Sequence, residues 1–293
     1  PPAGRRVRVA CVGDSITFGL FASGPEMSYP AQLQRLLGPG YEVLNFGESG
    51  ATLTHSKGVG KSYWESPRFG ASLASGPDVV LVLLGTNDAA AGIWCVRFGE
   101  FVPAYAELIR TYEGLASRPR VFLAEPPPLY KGSTYASYFL SGVVNGVYPR
   151  LLPLIAGAPA VPVQAPFRER CPLEGGGGAP AACDWIVQDG IHPNDDGYGA
   201  IARTMMEAVL GPAQGPPLGA DHAAGLVAAE AIAESSGREE AEASVFCNGD
   251  FAAARGVLGT AAPSYATPPS ALRGGIVIPS GTEGSAGIVA GTR

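Results

Sequence analysis

The sequence is poor in charge, and poorer in positive charge than in negative. Only 16% of its 293 residues are charged, and 20 Lys and Arg against 26 Asp and Glu leave a formal net charge of −6. A nucleic-acid partner calls for a basic face, so that class of function is set aside. No apolar run is long enough to span a bilayer, so no transmembrane segment is expected. Histidine is scarce, at three, and the five cysteines show neither Cys-x-x-Cys nor a Cys/His spacing. No metal site is therefore expected, and no cofactor is called for. Gly-x-Ser-x-Gly, the nucleophile elbow of many α/β hydrolases, is missing as well. Ser56-Lys57-Gly58-Val59-Gly60-Lys61-Ser62 falls short of a phosphate-binding loop, because the pattern needs Gly at position 55, which is His55, and no strand runs into it. Pro1-Pro2-Ala3-Gly4 leads straight into a strand-like run with no visible leader, and the missing initial Met leaves open a leader already removed.

What the sequence does contain is apolar and loop-rich: 46% hydrophobic residues, with 41 Gly and 27 Pro. Loops of that kind cost chain entropy, so a stable sheet has to carry the fold. Five short runs, Val7–Val12, Glu42–Phe46, Val79–Leu84, Arg120–Ala124 and Val161–Gln164, are apolar on both faces, as central parallel strands are. Helical patterns lie between them at Ser28–Leu37, Phe101–Leu115, Phe139–Ile155 and Asp195–Leu210, the last stopped by Gly211-Pro212. The alternation predicts a three-layer α/β/α sandwich on a five-stranded parallel sheet, spanning residues 1–211. Residues 212–293 read as an Ala/Gly-rich extension of unknown role, helical over Asp221–Ala243 and then low in large apolar residues.

Four segments carry residues suited to acyl transfer. Gly13-Asp14-Ser15 closes the first strand, where a Ser on a turn can lift its hydroxyl to solvent and aim its own N–H into the same space. The plainer alternative is a turn in which Asp14 or Ser15 caps the next helix. Gly50, after the second strand, allows close approach of its N–H to a carbonyl. Asn87 in Gly85-Thr86-Asn87-Asp88, after the third, offers an amide N–H, with Asp88 left to cap the helix that follows. Asp189-Gly190-Ile191-His192-Pro193 sets a carboxylate three residues from an imidazole on one tight loop. There the carboxylate can hold Nδ1–H and leave Nε2 to take a proton from Ser15. Asp184, Asp195 and Asp196 are rivals for the orienting carboxylate, although Asp195 and Asp196 suit a helix cap better. His55 and His222 lack a partner at useful spacing. Cys171 and Cys183 flank Gly175–Gly178 and could close a short disulfide loop, which spacing alone does not prove. Cys95 and Cys247 have no evident partner, and Cys11 sits in a strand as a small buried hydrophobe.

Taken together, Ser15 in Gly-Asp-Ser, Gly50, Asn87 in Gly-Thr-Asn-Asp and His192 in Asp-Gly-Ile-His-Pro resemble the four blocks of the SGNH (GDSL) hydrolase family, in order and in their places after strands. Ile16-Thr17 stands where the family's name-giving pattern has Leu. The resemblance covers about residues 7–211. It implies a flavodoxin-like sheet, a shallow exposed site, a catalytic triad of Ser15, Asp189 and His192, and an oxyanion hole of Ser15, Gly50 and Asn87. Ser28-Tyr29-Pro30-Ala31-Gln32-Leu33, Asn45-Phe46-Gly47, Tyr63-Trp64 with Pro67, and Pro126-Pro127-Pro128 are similar to the sialate O-acetylesterase-like carbohydrate esterases. That implies a serine esterase acting on acetyl esters of small molecules or oligosaccharides, with Tyr63 and Trp64 available to stack on a sugar ring or simply to pack a loop. A lysophospholipase-like lipid or thioester hydrolase is the alternative within enzymes, and an idle carbohydrate-binding module the alternative outside them. The possible disulfide leans the chain toward an extracytoplasmic setting, and the oligomeric state stays open.

Overall fold

A computed structural model describes residues 4–55, 60–132, 138–157, 160–173, 182–211 and 220–243. The strands are β1 (Val7–Gly13), β2 (Tyr41–Gly47), β3 (Ala51–Thr52), β4 (Lys61–Ser62), β5 (Val79–Leu83) and β6 (Arg120–Leu123). The helices are α1 (Ser15–Phe18), α2 (Tyr29–Leu37), α3 (Pro67–Ala74), α4 (Ala91–Glu113), α5 (Tyr148–Ala156), α6 (Gln164–Arg170), α7 (Asp195–Leu210) and α8 (Ala220–Ala243). The main sheet is parallel in the order β2-β1-β5-β6, and β3 and β4 form a small parallel pair of their own.

The order of the main sheet is the flavodoxin-like one, but the expected fifth strand is reduced to one bridge. Val161 pairs with Ala124, its N–H on Leu123 O and its carbonyl accepting Glu125 N–H. Pro162 follows with no N–H to give the ladder, and the chain turns into α6 at Gln164, where a strand is expected from sequence. α4 starts ten residues ahead of the sequence expectation, and the segment before α5 begins as a π-helical turn over Val143–Val147.

Why the layers form is written in the alternation of β1. Ala10 and Val12 join a core with Val80, Val82, Phe101, Tyr105 and Tyr148, under α4 and α5. Val9 and Cys11 face the other way, into a core with Tyr29, Leu33, Phe167, Ile201 and Met205, under α2, α6 and α7. Both faces are therefore covered, as a parallel sheet requires. α8 lies on α4 and α5, with Ala229 and Ala233 buried in the first core. Cys171 and Cys183 are joined in a disulfide, Cα atoms 5.6 Å apart. Cys95 is disulfide-bonded too, against the expectation of no partner, and Cys11 is free and buried. The Gly175–Gly178 run, the 212–219 linker, Cys247 and the tail after Ala243 lie outside the described residues.

Candidate active site

Three strands end level. In register, Gly13 of β1 lies beside Gly47 of β2 on one side and Leu83 of β5 on the other. Whatever follows these residues emerges at one edge of the sheet, beyond the carboxyl ends, where the strand order reverses. Ser15, Gly50 and Asn87 follow them. Gly13 cannot be replaced without moving the turn, because a Cβ there would meet Thr17 Oγ1 at 2.0 Å and Leu83 O at 2.5 Å.

Asp14 starts α1 as its N-cap, its Oδ1 accepting from Ile16 N at 2.9 Å. Ser15 is the first helical residue, so its own N–H belongs to the set that no turn of helix satisfies. The candidate base comes from the loop after α6. There Val187 N–H donates to His192 O, Asn194 N–H to Trp185 O, and Ile186 bridges Pro193. Gly190 makes the bend with φ +79, in the left-handed region, where a Cβ would also meet Tyr130 O at 2.4 Å. Inside that bend Asp189 Oδ1 accepts from Ile191 N at 2.8 Å and His192 N at 2.9 Å, while Oδ2 meets His192 Nδ1 at 2.5 Å. His192 Nε2 then lies 2.8 Å from Ser15 Oγ. Serine, imidazole and carboxylate thus form one continuous hydrogen-bonded line. The three are only 6%, 5% and 3% exposed, so they sit lower in the surface than the shallow exposed site expected of them.

Asn87 lies beside this line. Its Nδ2 donates to Ala51 O at 3.0 Å and reaches Asp14 Oδ2 at 3.4 Å, so one N–H is committed and the other only weakly held. Gly50, with φ +80, has open space where a Cβ would stand, and its N–H meets no acceptor among the described residues. Asp88 does not cap α4, which begins after Ala90 without a side-chain cap. Its buried carboxylate instead takes Leu53 N, Thr54 N and Thr54 Oγ1, tying the loop that carries Gly50 to the loop that carries Asn87. Burial pushes the Asp88 carboxyl up from its ordinary range. Burial does the same to Asp14, to about 6, with the Asp88 charge adding to the rise and the Ile16 N–H and His192 opposing it.

Tyr63 and Trp64 are not a free aromatic platform. Tyr63 is 1% exposed, with its hydroxyl on Phe46 O, and its ring packs edge-on against Phe69. Trp64 gives its indole N–H to Leu53 O and has one face stacked on His55, ring centroids 5.0 Å apart. His55 also lies 3.6 Å from Glu107. The side chain of His222 lies outside the described residues. Two of the rivals to Asp189 have other work. Asp184 pairs with Arg170, Asp195 accepts Ser23 N and Oγ, and Asn194 rather than Asp195 caps α7. Cys171, Cys183 and Asp184 are the one grouping of metal-ligand types among the described residues, and its two sulfurs are bonded to each other. The residue that sequence reasoning missed is Phe21, whose ring centroid is 5.4 Å from that of His192; its only sequence signal was its place just after the Gly-Asp-Ser turn.

A model of the GDSL-like lipase/acylhydrolase family matches residues 11–200. An acetylxylan esterase of Xylanibacter ruminicola is 30% identical, over 69% of this chain and 43% of its own length, so the chain spans less than half of that relative. Among solved structures, an aryl esterase of M. smegmatis is 20% identical with a TM-score of 0.50, over 69% of this chain and 98% of the other. A lipolytic protein of the G-D-S-L family from Desulfitobacterium hafniense, described as putative, has the same identity and TM-score, over 69% and 99%. These two likenesses bear on the fold.

Proposed function

The chain belongs to the GDSL-like lipase/acylhydrolase family, and on that premise we propose that it is a serine esterase removing short acyl groups, acetyl above all, from carbohydrate hydroxyls. The observation that carries the reading is the line from Asp189 through His192 to Ser15, at 2.5 and 2.8 Å. The choice of acetyl and of carbohydrate leans on the acetylxylan esterase relative.

In this reading Ser15 Oγ attacks the ester carbonyl as its proton passes to His192 Nε2. Asp189 holds Nδ1–H and steadies the imidazolium. The N–H groups of Ser15 and Gly50 and the Asn87 amide hold the oxyanion, a set in which each donor is worth about 10²–10³ in rate. The alcohol leaves with the proton from Nε2, and an acyl group stays on Ser15. Water then gives a proton to Nε2 as its oxygen attacks the acyl carbon, the acid departs, and Ser15 regains its proton. Residues 1–211 make the hydrolase domain, and α8 from the 212–293 extension packs on it. The disulfide of Cys171 with Cys183 and the bonded Cys95 favour a setting outside the reducing cytosol.

Two measurements test the proposal. A fluorophosphonate probe should label the wild type and leave Ser15→Ala unlabelled; labelling of the variant would remove Ser15 as nucleophile. Nitrophenyl esters of rising chain length should be cleaved fastest as the acetate, and a preference for long chains would replace the acetylesterase reading with a lipid-directed one.

A further inference from the structure

We propose that Phe21 is the specificity-determining wall on the alcohol side of this site, selecting alcohols that present an apolar ring face, as a pyranose does. The inference rests on the esterase reading above and names the part of the substrate that reading leaves open.

Phe21 is the only aromatic ring paired with His192 among the described residues, set edge-on at 5.4 Å and 61°. It is half-buried rather than sealed in the core. Its backbone is held at φ +67, one of two non-glycine residues in the left-handed region among those described. A bulky residue rests there only when its surroundings compel it. Here they do. On one side of Phe21 the Leu20 carbonyl accepts from Tyr198 Oη at 2.6 Å, and on the other Ser23 gives both N–H and hydroxyl to Asp195. Both clamps come from α7, three and six residues past His192, so ring and imidazole are fixed by one element.

The chemistry places the alcohol next to that ring. His192 Nε2 must protonate the departing oxygen, which brings it within about 3 Å of Nε2. In this proposal the carbon skeleton carried by that oxygen comes against Phe21, the ring that lies beside the imidazole. A phenyl ring has no donor or acceptor, so it sorts alcohols by shape and by the apolar C–H face they offer. The role that Tyr63 and Trp64 suggest in the sequence falls in this proposal to a residue only six positions after Ser15.

The test uses a series with the acyl group fixed as acetyl and the alcohol varied: methyl, cyclohexyl, and a mono-acetylated methyl pyranoside. Phe21→Ala and Phe21→Gly should each shrink the kcat/KM preference for the two ring alcohols over methyl acetate by about tenfold, while Phe21→Trp keeps it. The Gly variant relieves the left-handed backbone and the Ala variant does not, so equal losses in the two point to the ring. A parallel fall on all three acetates, or wild-type selectivity in Phe21→Gly, would overturn the proposal, the first by making Phe21 a support for His192 and the second by making the backbone the cause. Thermal melts of each variant confirm the fold. If the wild type cleaves none of the acetates but does cleave longer acyl esters, the acetylesterase reading fails by itself, and the same alcohol series on the preferred acyl group still decides the role of Phe21.

Discussion

The two halves of the site are built in opposite ways. The base half is local. Asp189 and His192 stand three residues apart, and the same carboxylate that holds Nδ1 also receives the N–H groups of residues 191 and 192. The proposed oxyanion half is assembled from three segments far apart in sequence, held together by Asp88 on Leu53 and Thr54 and by Asn87 on Ala51 and Asp14. A local device keeps its shape whenever its loop forms. An assembled one depends on every tie, and the ties of Asp88 are made by a group with no place among the proposed oxyanion donors.

The most severe break is expected in the local half. Asp189→Asn keeps an oxygen for the two backbone N–H groups but turns an amide N–H toward Nδ1, which fixes the wrong imidazole tautomer. A drop in kcat of about 10⁴ with an unchanged melting temperature is expected, and a loss under tenfold would show that the carboxylate only braces the loop. Next comes the assembled half. Asn87→Ala should lower kcat by about 10²–10³ with little change in KM, the loss of one oxyanion donor; activity within a few-fold of wild type would leave Asn87 as a tie between loops and nothing more. The smallest effect concerns Asp14, which ties Asn87 to the turn of Ser15 and has its carboxyl pushed up to about 6 by burial. The unfolded chain releases that proton first, near pH 4, so the folded state holds the extra proton between about pH 4 and 6 and stability falls as pH rises through that window. Asp14→Asn should remove a fall of about 2–3 kcal/mol between those limits, read as the difference in urea stability at pH 4 and 6.5. Parallel curves for variant and wild type would show that Asp14 stays ionised in the fold.

The same contrast accounts for what could be read from the sequence. β1, β2, β5 and β6 announce themselves as runs apolar on both faces, and α7 ends where Gly211 and Pro212 put its stop. The nearness of Asp189 to His192 follows from spacing. Val161–Gln164 misleads because so short a run fits a strand or a buried helix start equally well, and Pro162 settles the matter against the ladder. Asp88 misleads because an acidic residue after a strand is the usual sign of a cap, whereas its true partners lie 34 and 35 positions away. Tyr63 and Trp64 look like a sugar platform because a sequence shows that aromatics are present and not which way they face. Phe21 escapes for the same reason, since neither its contact with His192 nor its left-handed backbone leaves a mark on residue spacing.

One consequence follows from the continuity between the base loop and α7. His192 leads through Pro193 and Asn194 into that helix, and the helix in turn grips Leu20 and Ser23 on either side of Phe21. Imidazole and phenyl ring therefore ride on one beam, while the serine hydroxyl is mounted on the sheet. At the seam between α7 and α2, Gln32 of α2 donates to both Met27 O and Asp195 O, and Gly199 leaves its side chain just enough room. A glutamine with no part in the chemistry thus pins the first turn of the helix that grips both flanks of Phe21.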